Sequence, residues 1–158
     1  MSLRNSSSAA VHGRILLVDD NANGLCARKS VLEDLGHKIA TACNGMEALE
    51  VYAQHKFDLV VTDYKMPKMD GLELIVHLRK LTPELPIILV SGFVEALGLN
   101  EASTGADVVI QKSANEVSHL TRAVARMLRK RFTNCPVSML TGHAVAQSPS
   151  VAQVSSAM

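Results

Sequence analysis

The sequence predicts an α/β domain in which helices cover both faces of a five-stranded parallel sheet. Two observations support this prediction. Short runs of apolar, often β-branched residues alternate along the chain with longer segments whose apolar residues recur at helical spacing. Alternating strands and helices form parallel sheets, and right-handed crossovers restrict the topology to a few arrangements. We therefore expect a doubly wound sheet with the strand order 2-1-3-4-5.

The composition is that of one globular domain without a nucleic-acid or membrane partner. The 158 residues are 47% apolar and 20% charged, and the net charge of +1 gives no general attraction to nucleic acid or anionic membranes. Aromatic residues make up 3% of the chain, too few for a base-stacking platform. We see no secretory signal and no apolar run near the roughly 20 residues of a membrane span. The three cysteines lack C-x-x-C spacing, so we expect reduced thiols in a cytoplasmic protein.

Five apolar runs are predicted as strands because they are short and bounded by turn residues. In chain order they cover Val11 or Arg14 to Asp19, Lys38 to Ala42, Phe57 to Thr62, Pro86 to Val90 and Val108 to Gln111. The second run is the least apolar, which favours a position at the edge of the sheet.

The remaining segments have the apolar period of helices. Capping-box spacing, in which a polar residue is followed three positions later by Glu, begins three of them, at Asn44, Asp70 and Ser113. Gly36 is a typical stop for the first helix, residues 23–35. The segment 95–103 is the poorest helix, because Gly98 costs about 1 kcal/mol relative to alanine. The apolar faces are predicted to hold Leu25, Leu32, Leu35, Ala48, Leu49, Tyr52, Leu74, Ile75, Leu78, Leu81, Val117, Leu120, Val124, Met127 and Leu128.

Four of the predicted strands end in residues that could handle phosphate. The first ends in Asp19 and Asp20, the third in Asp63, the fourth in Ser91 and the fifth in Lys112. In the predicted strand order these four strands are neighbours, and ligands of such sheets bind beyond the carboxyl ends of the strands. Three carboxylates, a hydroxyl and an ammonium group at one edge indicate a metal-dependent phosphoryl site.

The chain resembles the receiver domain of two-component response regulators. Residues 62–71, TDYKMPKMDG, follow the D-x-x-M-P-x-M-D-G pattern of that family without a gap. Residues 17–21, 90–92 and 105–107, with Lys112, also match. The resemblance covers residues 13–131 and implies a flavodoxin-like (βα)5 fold, similar to single-domain chemotaxis regulators. We read residues 1–12 as a flexible leader and residues 132–158 as a disordered tail.

By the same resemblance, the site binds Mg²⁺ and accepts a phosphoryl group. Asp63 is the implied nucleophile and phosphoacceptor. The implied metal ligands are Asp20, Asp63 and the backbone carbonyl of Lys65, while Asp19 acts through a water molecule. The phosphoryl donor is a sensor histidine kinase or a phosphotransfer protein.

The resemblance assigns the remaining site residues to the phosphoryl group itself. Ser91 and Lys112 contact its oxygens, and Gly92 leaves room for it to enter. We expect a phosphoacceptor signalling domain rather than an enzyme, although self-catalysed phosphorylation and dephosphorylation are left open. The modified domain then acts by contact with an unidentified downstream protein, and a homodimer is also left open.

The sequence departs from the family pattern at two positions. Val109 stands where most receivers carry an aromatic switch residue, and it is short and stiff at χ1, so we expect a muted or differently wired output. Ser113 stands where proline usually follows the lysine, often after a cis bond. A cis bond costs roughly 2.5–4 kcal/mol before a residue other than proline, so either the bond is trans and the loop adjusts, or strain is tolerated. Lys65 and Phe93 flank the site, and Lys65 either contacts phosphate or is solvated.

Two alternatives use the same residues differently. A pseudo-receiver would bind proteins without phosphotransfer, but such members usually lose an acid or the lysine. An aspartyl-phosphate hydrolase of the haloacid dehalogenase type would need a second acid where Lys65 stands. The residues after the last predicted helix are too few for an output domain, so we expect a stand-alone receiver.

Overall fold

The computed structural model describes residues 11–134, which alternate between strands and helices. The elements are β1 (Arg14–Val18), α1 (Ala22–Asp34), β2 (Lys38–Ala42), α2 (Gly45–Gln54), β3 (Leu59–Asp63), α3 (Gly71–Leu81), β4 (Ile87–Ser91), α4 (Val94–Leu97), α5 (Glu101–Thr104), β5 (Val108–Gln111) and α6 (Glu116–Asn134). The predicted strands are all present, with ends shifted by a few residues.

The strands form one parallel sheet in the order β2-β1-β3-β4-β5, which confirms the predicted topology. Val18 lies opposite Thr62, and Asp63 lies opposite Val90. Ser91 in turn lies opposite Gln111. The carboxyl ends of four neighbouring strands therefore meet at one edge of the sheet.

The central strands form the core. Every residue of β3 and β4 is buried, as expected for parallel strands with helices on both faces. Leu74, Ile75 and Leu78 of α3 pack in the same core. Three residues predicted on apolar faces are instead exposed: Leu35 by 48%, Leu81 by 62% and Val117 by 40%. Each lies at or beside a helix end.

The single helix predicted over residues 95–103 is wrong. The segment instead forms two four-residue helices, α4 and α5. Gly98 adopts a left-handed conformation with φ +63°, which ends α4. Asn100 then caps α5, because its side chain accepts from the Ser103 N–H at 2.8 Å while the Ser103 hydroxyl accepts from the Asn100 N–H at 3.1 Å. Glycine here separates two elements rather than weakening one.

The three predicted capping boxes differ in the structure. Asp70 and Glu73 form the full reciprocal pair at the start of α3. Asn44 accepts from the Glu47 N–H, but the Glu47 carboxylate accepts from the Cys43 N–H instead of the cap residue. The box predicted at Ser113 does not form in the described structure, because the Glu116 carboxylate binds Arg28.

The last helix continues to Asn134, beyond the predicted boundary of the domain at residue 131. The site residues all belong to one compact unit, which ends at Leu128. Residues 1–10 and 135–158, and with them most of the predicted leader and tail, lie outside the described residues. Among the helices described, none has the length and apolar character needed to cross a membrane.

Candidate metal and phosphoryl site

Three carboxylates converge at the carboxyl edge of the sheet. One oxygen each of Asp19, Asp20 and Asp63 lies within 4.8 Å of the others. Asp19 and Asp63 are buried, whereas Asp20 is exposed to solvent. They meet because β1 and β3 are adjacent parallel strands that end at the same level. The structure therefore brings together the three acids predicted to form the metal site.

Lys112 completes the group and comes from the loop after β5, the edge strand two places from β3. Its Nζ lies 2.8 Å from Asp63 Oδ1, and its backbone N–H donates to the Ser91 carbonyl oxygen at 2.9 Å. No peptide bond in the described part of the chain is cis, so the bond from Lys112 to Ser113 is trans. The loop after β5 thus delivers the lysine to the acids without the cis bond that many receivers use here.

The buried position of Asp63 makes its charge costly. Burial raises the pKa of the Asp63 carboxyl above its ordinary value, the hydrogen bond from Lys112 opposes this rise, and the charge of Asp19 adds to it. One lysine therefore does not fully compensate the ionised carboxylate. A divalent cation would supply the missing positive charge, and the all-oxygen donor set with exposed Asp20 suits Mg²⁺. The residues present fit the metal.

Ser91 and Gly92 lie where the resemblance implies. Ser91 is buried at the end of β4, and its hydroxyl oxygen accepts from the Phe93 N–H at 2.9 Å, which leaves the hydroxyl hydrogen to donate. A Cβ atom placed on Gly92 would find no atom within 4 Å, so there is open space beside the serine.

The two residues that flank the site contact each other. Lys65 Nζ lies 5.6 Å from the centre of the Phe93 ring, a cation–π contact between two exposed side chains. The sequence left open whether Lys65 contacts phosphate or is solvated; in the structure its side chain is exposed and has the Phe93 ring as a partner. Val109 is half-buried against the core, and its N–H donates to the Glu101 carboxylate at 3.2 Å.

The sequence reasoning missed Arg28. Its guanidinium is buried, with Nη1 2.5 Å from Asp19 Oδ2 and Nε 2.5 Å from Glu116 Oε2. Leu25, Arg28 and Leu32 are the buried residues of α1, so the arginine occupies the apolar face of that helix. A charged residue at such spacing needs an acidic partner inside the fold, and this was the signal available in the sequence.

The family comparison agrees with the geometry. Residues 15–125 match the model of the response regulator receiver domain. The "Probable transcriptional regulator ycf27" of Cyanidium caldarium is 31% identical over 134 residues, which cover 83% of this chain and 53% of that protein. The chain thus spans about half the length of this curated relative.

Solved structures with the same fold give a consistent result. A CheY-like receiver domain protein from Methanospirillum hungatei superposes with a TM-score of 0.71 at 30% identity, over 77% of this chain and 98% of that one. The response regulator TrrA from Thermotoga maritima, determined in complex with Mg²⁺ and BeF, gives 0.65 at 34% identity, over 72% and 97%. The chain therefore belongs to the receiver domain family of two-component response regulators.

Proposed function

We propose that this receiver accepts a phosphoryl group on Asp63 in a Mg²⁺-dependent reaction and signals through contact with another protein. The donor would be a sensor histidine kinase or a phosphotransfer protein. The observation that carries the proposal is the Asp63 carboxylate, held 2.8 Å from Lys112 within the cluster of three acids. That arrangement combines a nucleophile, a fixed cation and a set of metal ligands.

The chemistry is a transfer between two nucleophiles. An Asp63 oxygen forms a bond to phosphorus while the bond from phosphorus to the donor nitrogen breaks, and the departing imidazole keeps that electron pair. Lys112 is placed to stabilise the negative charge on the phosphoryl oxygens. When bound, Mg²⁺ would neutralise charge on the same oxygens. Ser91 would donate its hydroxyl hydrogen to the new phosphoryl group, which enters beside Gly92.

The metal ligands proposed are Asp20, Asp63 and the backbone carbonyl of Lys65, with Asp19 acting through water. Both oxygens of Asp19 already have partners, since Oδ1 accepts from the Asn21 N–H at 2.9 Å and Oδ2 binds Arg28. These contacts favour a water-mediated role for Asp19, so of the two neighbouring acids Asp19 and Asp20 it is the exposed Asp20 that is proposed as a direct ligand.

The protein is proposed as a phosphoacceptor and not as a turnover enzyme. A pseudo-receiver that only binds proteins would have no need of the Asp63–Lys112 pair, which therefore favours phosphotransfer. A stand-alone organisation stays a prediction, because the relative from C. caldarium is about twice as long. The downstream partner and the cytoplasmic location stay predictions as well.

Beryllofluoride, which mimics a phosphoryl group on an aspartate, tests the proposal. With Mg²⁺ it should raise the melting temperature of the wild type, and EDTA or the variant D63N should abolish the rise. An equal rise in D63N, or no rise in the wild type, would contradict the assignment of Asp63.

A further inference from the structure

We propose that Arg28 is a positioning residue that lowers the affinity of the site for Mg²⁺, and that Glu116 limits this effect. Arg28 acts as a permanent counter-ion, since it binds the Asp19 carboxylate and so places a positive charge next to the metal ligands. The inference rests on the proposed function, because it concerns the same metal site.

The contacts of Arg28 are those of a fixed residue. Its side chain is 8% exposed, and two different nitrogens of the guanidinium each contact one carboxylate at 2.5 Å. This forked arrangement needs an arginine, because a lysine offers a single charged nitrogen. Gly24 lies one turn earlier in α1, and a Cβ placed there would come within 3.2 Å of Asp19 Oδ2. The helix therefore approaches the acid closely enough for the arginine to reach it.

The arginine also connects the metal site to the loop that carries Lys112. Glu116 begins α6, four positions after the lysine, and its carboxylate is the second partner of Arg28. Lys112 contacts Asp63, whose carboxylate lies within 4.8 Å of Asp19. Two neighbouring acids, Asp63 and Asp19, are thus each paired with a cation, Lys112 on one side and Arg28 on the other. Glu116 connects Arg28 to the start of α6, just after the loop in which Ser113 replaces the usual proline.

The charges around the site predict opposite effects for the two partners. The negative charge of the three clustered acids, Asp19, Asp20 and Asp63, is balanced in part by the positive charges of Lys112 and Arg28. The charge of Glu116 in turn offsets that of Arg28. Removing the arginine charge makes the surroundings of the cation more negative and should tighten Mg²⁺ binding. Removing the Glu116 charge leaves the arginine uncompensated and should weaken binding. A purely structural role would weaken binding in both cases.

The test is calorimetric titration of the folded protein with Mg²⁺ alone, at low ionic strength. We expect R28M to bind Mg²⁺ about tenfold more tightly than the wild type, as one unit charge near a divalent ion predicts. E116Q should bind it more weakly. The control K29M removes one charge from the next residue of the same helix, where Lys29 is exposed and pairs with Glu33 at 3.2 Å. K29M should stay within about twofold of the wild type, since the charge of an exposed lysine acts through water of high dielectric constant and is already paired with Glu33.

A double variant covers the case in which R28M does not fold. R28M/E116Q removes one charge of each sign, so its Mg²⁺ affinity should stay near that of the wild type, whereas a structural role predicts weaker binding. Unchanged or weaker binding in folded R28M, tighter binding in E116Q, or weaker binding in the double variant would overturn the role of Arg28. Those results would leave the proposed function intact. If the wild type takes up no Mg²⁺ at all, the proposed function itself fails.

Discussion

A Cβ atom placed on Gly71 would overlap the backbone carbonyl oxygen of Asp63. The Gly71 N–H also donates to the Tyr64 carbonyl oxygen at 2.8 Å. The first residue of α3 thus packs directly against the backbone that carries the proposed phosphoacceptor. This contact explains why the D-x-x-M-P-x-M-D-G pattern ends in glycine, because any side chain there would push the helix away from Asp63.

The variant G71A should therefore lower the free energy of unfolding by about 1–3 kcal/mol, the usual cost of overpacking. Urea denaturation measures this. G92A is the matched control, because its Cβ would meet no atom within 4 Å, and we expect a change within about 0.5 kcal/mol. Equal stability of the two variants would show that the contact between Gly71 and Asp63 does not constrain the fold.

Removing the Lys112 charge should impair phosphorylation much more than folding. K112M takes away the hydrogen bond that opposes the raised pKa of Asp63, together with the cation proposed for the phosphoryl oxygens. We expect the rate of phosphorylation by acetyl phosphate to fall about a hundredfold, as for other lost stabilisers of transition-state charge. The control K80M removes an exposed lysine from the last turn of α3 and should react at the wild-type rate. A K112M rate close to that of K80M would contradict the proposed role.

Stability should fall on mild acidification because of His37. Its Nδ1 accepts from the Gly13 N–H at 3.2 Å, and burial, with a smaller contribution from the charge of His12, lowers the pKa of His37 from 6.5. The folded state thus favours the neutral ring, so this stabilisation is complete above pH 6.5 and is lost as the pH falls further.

Urea denaturation between about pH 7 and pH 5 checks this prediction. H37N keeps an acceptor for the Gly13 N–H but does not titrate in this range, so its unfolding free energy should decrease less than that of the wild type. Parallel decreases in the two proteins would assign the pH dependence to other groups.

Val109 should limit the structural change that phosphorylation causes in the connection between β4 and β5. The side chain is half-buried, and α4 and α5 are two short helices separated by Gly98. We expect beryllofluoride with Mg²⁺ to shift the amide resonances of residues 94–104 less in the wild type than in V109Y, whose larger ring could couple the two regions. Equal shifts in both proteins would count against a switch role for this position.

The sheet and the acid cluster were predictable because the sequence patterns on which they depend are compatible with few folds. Apolar runs that alternate with helical segments determine a parallel sheet, and the strand order brings Asp19, Asp63 and Lys112 to one edge. The break at Gly98 was harder to predict, since a glycine within a short apolar segment fits both a weak helix and two helices. The capping box predicted for Glu116 failed because of a tertiary contact, since its carboxylate binds Arg28 rather than the backbone of Ser113.

Arg28 shows most clearly which contacts cannot be predicted from the sequence. Its position on the apolar face of α1 required a buried acid, but nothing local to that helix identified Asp19 and Glu116 as the partners. Glu116 lies 88 residues further along the chain, so the pair depends on the folded topology.

The most direct test of the central proposal is the intact mass of the protein after incubation with acetyl phosphate and Mg²⁺. The wild type should gain the mass of one phosphoryl group, and D63N should gain none. A gain in both proteins, or in neither, would contradict the assignment of Asp63 as the phosphoacceptor.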